Sequence, residues 1–223
     1  MSFDHFRLLS REDLEEFRVI VLNHLRQAGI GLPRLSEYHK YVSNEAHAHI
    51  FSRKSVRVLS PGAVNAVFRL PSMLSLCERF PCYSLSKVIS DQGEADTAEV
   101  YFRLVRPNCP DDVGSPHCDR WFHEVYGLHY RASPTWKVWI ALEVEPGLSG
   151  LQFFPHAEVD AIEWNFKDSK LLCDPNQACL GSPHLPNVEP GDALLFDSDT
   201  LHQGVLNRGS LSRVSVELTY VPQ

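Results

Sequence analysis

The chain has 223 residues and a formal net charge of −7 at pH 7, and this length suits one well-packed domain. Hydrophobic residues make up 43% and charged residues 22%, which is ordinary for a globular protein and argues against extensive disorder. An acidic chain lacks the basic stripe that nucleic acid or an anionic membrane usually requires, so we expect neither as a partner.

The N-terminal sequence MSFDHFRLLSREDLEEF is charged from its fourth residue and lacks the apolar core of a secretory signal. No apolar run reaches the 18 or more residues that a membrane span needs. The six cysteines form no C-x-x-C pair, which favours reduced thiols. We therefore expect a cytoplasmic protein.

The first part of the chain has helical character. Ser10 precedes an acidic segment and a run of apolar residues with helical spacing, which predicts a helix at about 11 to 28. The stretch from about 44 to 80 is also helical in character, interrupted or closed by three prolines, Pro61, Pro71 and Pro81. Residues 1–97 are thus predicted to form a mainly helical N-terminal layer.

The pattern changes at residue 98 to short β-rich runs separated by clusters of Pro, Gly, Asn and Asp. These predicted strands are EVYFRLVRP, TWKVWIALEVE, LQFFP, DALLFD and SRVSVELTYV. Because no linker or repeat divides the chain, we expect a single domain over 1–223, with a β core in 98–223 that carries the site.

Three predicted strands place large polar and aromatic side chains on one face. These residues are Tyr101, Lys137, Trp139, Arg213 and Ser215. A solvated face is the simpler explanation, but a small barrel or jelly roll that holds a ligand would also combine such groups with an apolar opposite face.

Residues 115–123 read SPHCDRWFH. If this stretch is a strand, His117 and Asp119 share one face, and a nitrogen and a carboxylate then converge as two ligands of a divalent metal. A bare H-x-D is common by chance. His202, which follows EPGDALLFDSDT, is the best third ligand, and Arg213 comes eleven residues later as a planar fork suited to a carboxylate.

This ordered set resembles the iron(II) and 2-oxoglutarate dependent oxygenases of the phytanoyl-CoA dioxygenase type. The resemblance spans roughly residues 98 to 221. The matching elements are the H-x-D at 117–119, VWIALEVEPGLSGLQFFPH at 138–156, EPGDALLFD at 189–197, and His202 with Arg213.

The resemblance implies a mainly β fold with flanking helices around a double-stranded β-helix (a cupin-like jelly roll). It implies that His117, Asp119 and His202 bind Fe(II) and that Arg213 grips the far carboxylate of 2-oxoglutarate. Trp139 matches a position where a tryptophan commonly contacts this cosubstrate. Such enzymes use O2 to convert 2-oxoglutarate to succinate and CO2 while oxidising a C–H bond of the substrate.

Further site residues follow from position. Ser215, Lys137 and Tyr101 face the predicted cavity by strand alternation and are predicted to contact the cosubstrate. Trp121, His123 and Tyr126 follow the H-x-D, where a loop can lie over the metal, so they are predicted to contact the substrate.

A compact domain without a recognition module favours a small-molecule substrate. Two alternatives stay open: a cupin-type metalloenzyme that does not use 2-oxoglutarate, and a non-catalytic sensor of a metal and a ligand. Arg103 and Arg106 could bind an anionic group of the substrate or pair with nearby carboxylates, and the structural role is favoured. His47 and His49 are interpreted as non-ligands because they lie in a helical segment.

Overall fold

A computed structural model of the chain describes residues 3–52, 54–90, 93–126, 135–167 and 170–223. It is built mainly of antiparallel sheet with helices. The helices are α1 (Arg11–Gln27), α2 (Tyr38–Tyr41), α3 (Asn44–Ser52), α4 (Lys54–Arg57), α5 (Pro61–Val67), α6 (Pro71–Glu78) and α7 (Asp119–Val125). The strands are β1 (Asp4–Arg7), β2 (Tyr83–Leu85), β3 (Lys87–Ser90), β4 (Gly93–Ala98), β5 (Val100–Val105), β6 (Trp136–Glu143), β7 (Leu151–Phe153), β8 (Trp164–Lys167), β9 (Lys170–Cys173), β10 (Asp192–Asp197), β11 (His202–Gly204) and β12 (Arg213–Pro222).

Helix α1 confirms the predicted N-terminal helix. The Ser10 hydroxyl accepts a hydrogen bond from the Asp13 backbone N–H at 3.0 Å, which satisfies one of the free donors of the first turn. Pro61 and Pro71 do not interrupt helices as the sequence suggested, because each stands at the start of one, in α5 and α6. The first turn tolerates proline, which has no N–H and a φ already near the helical value.

The main sheet has the order β1-β10-β6-β12-β2, and β5 pairs with β12. The long strand β12 therefore lies between β6 and β5, with Ser215 opposite both Ala141 and Arg103. The N-terminal region is not purely helical, because β1 joins this sheet beside β10 and β2, β3 and β4 also precede residue 98. A four-residue strand whose partner lies nearly the whole chain away leaves little local signal.

Alternate residues of β6 enter different cores. Val138, Ile140 and Leu142 pack with the helical layer on one face, whereas Trp139 and Ala141 pack on the other face with a separate cluster that includes residues of β7 and β10. On β12, Arg213 and Ser215 are 4% and 0% exposed. The polar face that the sequence placed either in solvent or around a ligand is thus an inner, buried face.

Two short strand pairs complete the site region, namely β7 with β11 and β8 with β9. Pairing with β7 places His202, the first residue of β11, opposite Phe153. A separate antiparallel bridge joins His202 to His117. Among the described residues, no helix is both long and apolar enough to cross a membrane.

A buried polar network joins the helical layer to the loop before the site. The Asp112 carboxylate accepts hydrogen bonds from Arg106 Nε and Nη2 at 2.9 and 2.7 Å and lies 3.0 Å from His47 Nε2. The other nitrogen of His47 lies 2.9 Å from the Tyr38 hydroxyl. These contacts confirm that Arg106 pairs with a nearby carboxylate, and they place His47 in the same network.

Replacing Asp112 by alanine is expected to lower the free energy of unfolding by about 3–5 kcal/mol, because Arg106 would stay buried without its partner. Burial alone would raise the pKa of Asp112, but hydrogen bonds from Arg106 and His47 outweigh it and hold this pKa below its usual range. The stabilisation is therefore present above the ordinary carboxyl pKa, near 4, and is lost as the pH falls below it. Urea unfolding at pH 7 and pH 3 tests both points, with the exposed neighbour Asp111→Ala as control. An Asp112→Ala protein as stable as Asp111→Ala would contradict the prediction.

Candidate metal centre

His117 and His202 lie side by side because their backbones form a reciprocal bridge. The His117 N–H donates to the His202 carbonyl at 3.0 Å, and the His202 N–H donates to the His117 carbonyl at 2.9 Å. Their ring centroids are 4.5 Å apart. Residues 85 positions apart in sequence are thereby held as neighbours by main-chain hydrogen bonds.

Each imidazole is oriented by a carbonyl within its own loop. His117 Nδ1 lies 2.9 Å from the Ser115 carbonyl, and His202 Nδ1 lies 2.9 Å from the Thr200 carbonyl. Because a carbonyl only accepts, each Nδ1 carries the proton and each Nε2 keeps its lone pair. This arrangement is typical of histidines that bind a metal through Nε2.

Asp119 reaches the same point by a different route from the predicted one. It is the first residue of α7 rather than a strand residue, so strand alternation is wrong as the reason for convergence. Instead, the chain turns from the His117 bridge into helix α7, and this turn places the Asp119 carboxylate near the two histidines. One ligand atom from each of His117, Asp119 and His202 lies within 4.8 Å of the others, and no other such group of three occurs in the described part of the chain.

The protonation states suit a divalent cation. Burial, reinforced by the nearby charge of His202, lowers the pKa of His117 to about 4, and burial also lowers the pKa of His202. Burial would raise the pKa of Asp119, but neighbouring groups, with the positively charged Lys137 foremost, outweigh burial and lower this pKa. Two neutral imidazoles and one ionised carboxylate are the ligand types of a facial iron site.

A buried guanidinium lies on the inner face of β12. Arg213 Nη1 donates to the Gly150 carbonyl, while Nε is buried without a hydrogen-bond partner, and no carboxylate of the described residues forms an ion pair with the group. A side chain at Gly204 would place its Cβ 3.3 Å from Arg213 Nη2, so the glycine leaves room for the guanidinium. Burial lowers the pKa of Arg213 to about 10, and it stays charged at neutral pH.

Ser215 lies two residues after Arg213 on the same face, and its hydroxyl is buried with no hydrogen-bond partner in the described structure. Buried polar atoms nearly always have partners. An unsatisfied hydroxyl beside an unsatisfied guanidinium edge is therefore a feature that a bound carboxylate would satisfy.

The other predicted cosubstrate contacts lie on the same inner face. Trp139 is 1% exposed within an aromatic cluster, and Tyr101 stands opposite Glu217 across β5 and β12. Lys137 lies on this face as well, and its ammonium lies 3.3 Å from Asp119 Oδ2. Its charged partner is thus a metal-ligand candidate, and its contact with the cosubstrate stays a prediction.

The three predicted substrate contacts occupy different environments on α7 and at its end. Trp121 is buried and stacks on Trp164 with ring centroids 5.1 Å apart, and its contact with the substrate stays a prediction. His123 is half-buried, and burial lowers its pKa although Asp119 opposes the shift. Tyr126 is 60% exposed and makes an edge contact with Phe166 at 5.8 Å.

Two residues near the site were not predicted as site residues, namely Glu217 on the inner face of β12 and Phe122 on α7. Arg103 Nε lies 3.3 Å from Glu217 Oε1, and Glu217 shares its face with Arg213 and Ser215. Strand alternation was the available signal for Glu217. The ring of Phe122 packs edge-on against His117, with ring centroids 5.7 Å apart. The one sequence signal for this residue was its position about one helical turn after Asp119.

No protein-family model matches the sequence, and no curated protein matches it. Solved structures do share its fold. The apo form of the non-heme monooxygenase ThoJ superposes with a TM-score of 0.55 at 11% identity, covering 99% of this chain and 74% of ThoJ. The ThoJ nickel complex gives 0.54 at 11% identity, covering 99% and 73%.

The epimerase SnoN, in complex with Fe3+, alpha ketoglutarate and nogalamycin RO, gives a TM-score of 0.52 at 12% identity and covers 99% of this chain and 78% of SnoN. At such low identity these similarities establish a shared fold. The predicted combination of β-sheet and helices is confirmed by the structure itself.

Proposed function

We propose that the protein is a non-haem Fe(II)- and 2-oxoglutarate-dependent oxygenase with a double-stranded β-helix core, of the phytanoyl-CoA dioxygenase-like type. The observation that carries the proposal is the convergence of three ligand atoms, from His117, Asp119 and His202, within 4.8 Å. Neighbours that share the fold support it, because one is described with nickel and another with Fe3+ and alpha ketoglutarate.

His117 and His202 would hold the metal through Nε2, and Asp119 would supply a carboxylate oxygen. Three ligands on one side leave coordination positions open for a cosubstrate. When bound, iron with 2-oxoglutarate and O2 supplies the oxidising power to attack an unactivated C–H bond, with succinate and CO2 released. The chain's own residues bind and orient these groups and keep water from the site.

Arg213 and Ser215 would bind the far carboxylate of 2-oxoglutarate. The guanidinium has a fixed fork of donors, and the buried Nε and the Ser215 Oγ have no partner in the described structure. A carboxylate placed there would form charge-assisted hydrogen bonds to both. Trp139 and Tyr101 would line the same pocket, since they belong to the same inner face.

We propose a small-molecule substrate that enters on the side of α7. Phe122, Phe166 and Tyr126 form a series of edge contacts there that begins at His117 and ends at the exposed Tyr126. Aromatic surface of this kind binds apolar parts of small ligands. The cytoplasmic location and the lack of a nucleic-acid partner stay predictions from the sequence.

The first test is anaerobic titration of the Fe(II)-loaded protein with 2-oxoglutarate. Chelation of the metal is expected to produce a weak visible charge-transfer band that is lost in Asp119→Ala. Succinate release stimulated by a metabolite would then identify the substrate. Metal binding without the band would favour a cupin-type enzyme that does not use 2-oxoglutarate, and a band without turnover would favour a sensor.

A further inference from the structure

The ion pair between Lys137 and Asp119 is not explained by the proposed chemistry. Lys137 lies on β6 between Phe196 of β10 and Thr219 of β12, and its side chain is only 17% exposed. Its ammonium forms an ion pair with Asp119 Oδ2 at 3.3 Å, and this oxygen is buried and accepts no hydrogen bond in the described structure. Burying a lysine costs free energy unless its charge is paired. Asp119 is therefore the carboxylate that compensates the charge of Lys137.

Arg120, the cation that follows Asp119 in sequence, does not pair with the Asp119 carboxylate. Arg120 Nη2 lies 2.7 Å from Asp160, and Arg120 Nε lies 3.1 Å from Asp199. Its guanidinium is therefore directed to acids on the outer side of the turn. In the part of the chain that the structure describes, Lys137 is the cation that contacts Asp119.

The pair belongs to an alternating row of charges on the inner face of the sheet. Arg103 Nε lies 3.3 Å from Glu217 Oε1, and the negative charge of Glu217 raises the pKa of Lys137. The sequence of charges from Arg103 through Glu217 and Lys137 to Asp119 is plus, minus, plus, minus. The Arg103 end of the row is 37% exposed, and the other end is the buried metal-ligand candidate Asp119.

We propose that Lys137 is a positioning residue that holds Asp119 Oδ2, so that Oδ1 alone is presented to the metal. Its positive charge also weakens binding of the metal cation and strengthens binding of an anionic cosubstrate. This inference rests on the proposed function. A carboxylate held by one oxygen occupies one coordination position, which keeps the remaining positions open for a chelating ligand.

The proposal predicts effects of opposite sign on two ligands. Lys137 repels a divalent metal, so Lys137→Met is expected to lower the dissociation constant of Co(II) about fivefold, while loss of the same charge raises that of 2-oxoglutarate about tenfold. A merely structural lysine would weaken both. Freeing Oδ2 also changes the ligand field, which a residue contacting only 2-oxoglutarate would not do.

The experiment uses Co(II) as the probe, because its visible spectrum reports coordination without turnover. Wild type, Lys137→Met and the exposed control Lys40→Met are titrated with Co(II), and 2-oxoglutarate is then added. A changed Co(II) spectrum before 2-oxoglutarate is added, with the opposite shifts in affinity, supports the proposal. Lys137→Arg, which keeps charge and donors, should retain the wild-type spectrum. If Lys137→Met does not fold, Lys137→Gln replaces it, since its amide lacks the charge.

The outcomes separate this inference from the proposed function. A wild-type Co(II) spectrum in Lys137→Met, with only 2-oxoglutarate weakened, would overturn the positioning role and restore a direct cosubstrate contact. Weakening of both ligands would reduce Lys137 to a structural residue. If wild type itself binds no Co(II), the metal site fails first. If it binds Co(II) but not 2-oxoglutarate, the spectral change in Lys137→Met still tests the positioning role.

Discussion

Replacing His202 by alanine is expected to abolish iron binding and turnover together. His202 provides one of the two oriented Nε2 atoms, and two ligands cannot hold Fe(II) on one side as three do. Loss of a residue that only supports a ligand typically weakens metal binding 10–100-fold, so loss of the ligand itself should weaken Fe(II) binding by more than about 100-fold. Equilibrium dialysis against Fe(II) and succinate release measure the two effects.

The fold should survive this substitution. The reciprocal bridge between His202 and His117 uses backbone atoms, which alanine retains, although the ring contact with Phe196 at 4.7 Å is lost. The exposed His156 provides the matched control, since His156→Ala removes an imidazole without touching the site. Normal turnover in a folded His202→Ala protein would overturn the assignment of the metal centre.

Much of the sheet, and the three residues that the structure brings together at the candidate metal centre, could be predicted from the sequence. Strands β5, β6, β10 and β12 are strongly periodic or apolar, and the order of His117, Asp119, His202 and Arg213 along the chain carries a recognisable pattern. Alternation along β12 also separated Arg213 and Ser215 from Val214 correctly. The strand signals are local patterns in the sequence, and the site signal depends on the order and spacing of residues along the chain.

What the sequence could not supply depends on partners distant in the chain. The four-residue β1 becomes a strand by pairing with β10, and the His117 bridge requires a backbone 85 residues away. Likewise, Asp119 was assigned to a strand because alternation is the simplest way to align an H-x-D, yet the chain begins a helix there. The pairing of Lys137 with Asp119 joins β6 to α7, and no local pattern encodes it.

Replacing Arg213 by methionine is expected to spare the metal and to weaken 2-oxoglutarate binding. Arg213 is 4% exposed, and its guanidinium has no carboxylate partner in the described structure. The far carboxylate of 2-oxoglutarate is its proposed partner. Truncating one partner of a buried charge pair costs about 2–5 kcal/mol, so the dissociation constant should rise roughly 100-fold. The charge-transfer titration measures it, and Arg208→Met, at an exposed position, is the control.

The cosubstrate itself provides a second, sharper test of Arg213. The analogue 2-oxopentanoate keeps the chelating end of 2-oxoglutarate but carries a methyl group in place of the far carboxylate. Wild type should bind the analogue far more weakly than 2-oxoglutarate, because the methyl group leaves the buried Arg213 guanidinium without a partner. Arg213→Met has no guanidinium at this position, so it should lose most of the preference for 2-oxoglutarate. A preference that persists in Arg213→Met would place the far carboxylate on another residue. Because Lys137 acts at the metal end, Lys137→Met should keep the preference, and the two cations are thereby assigned to opposite ends of one ligand.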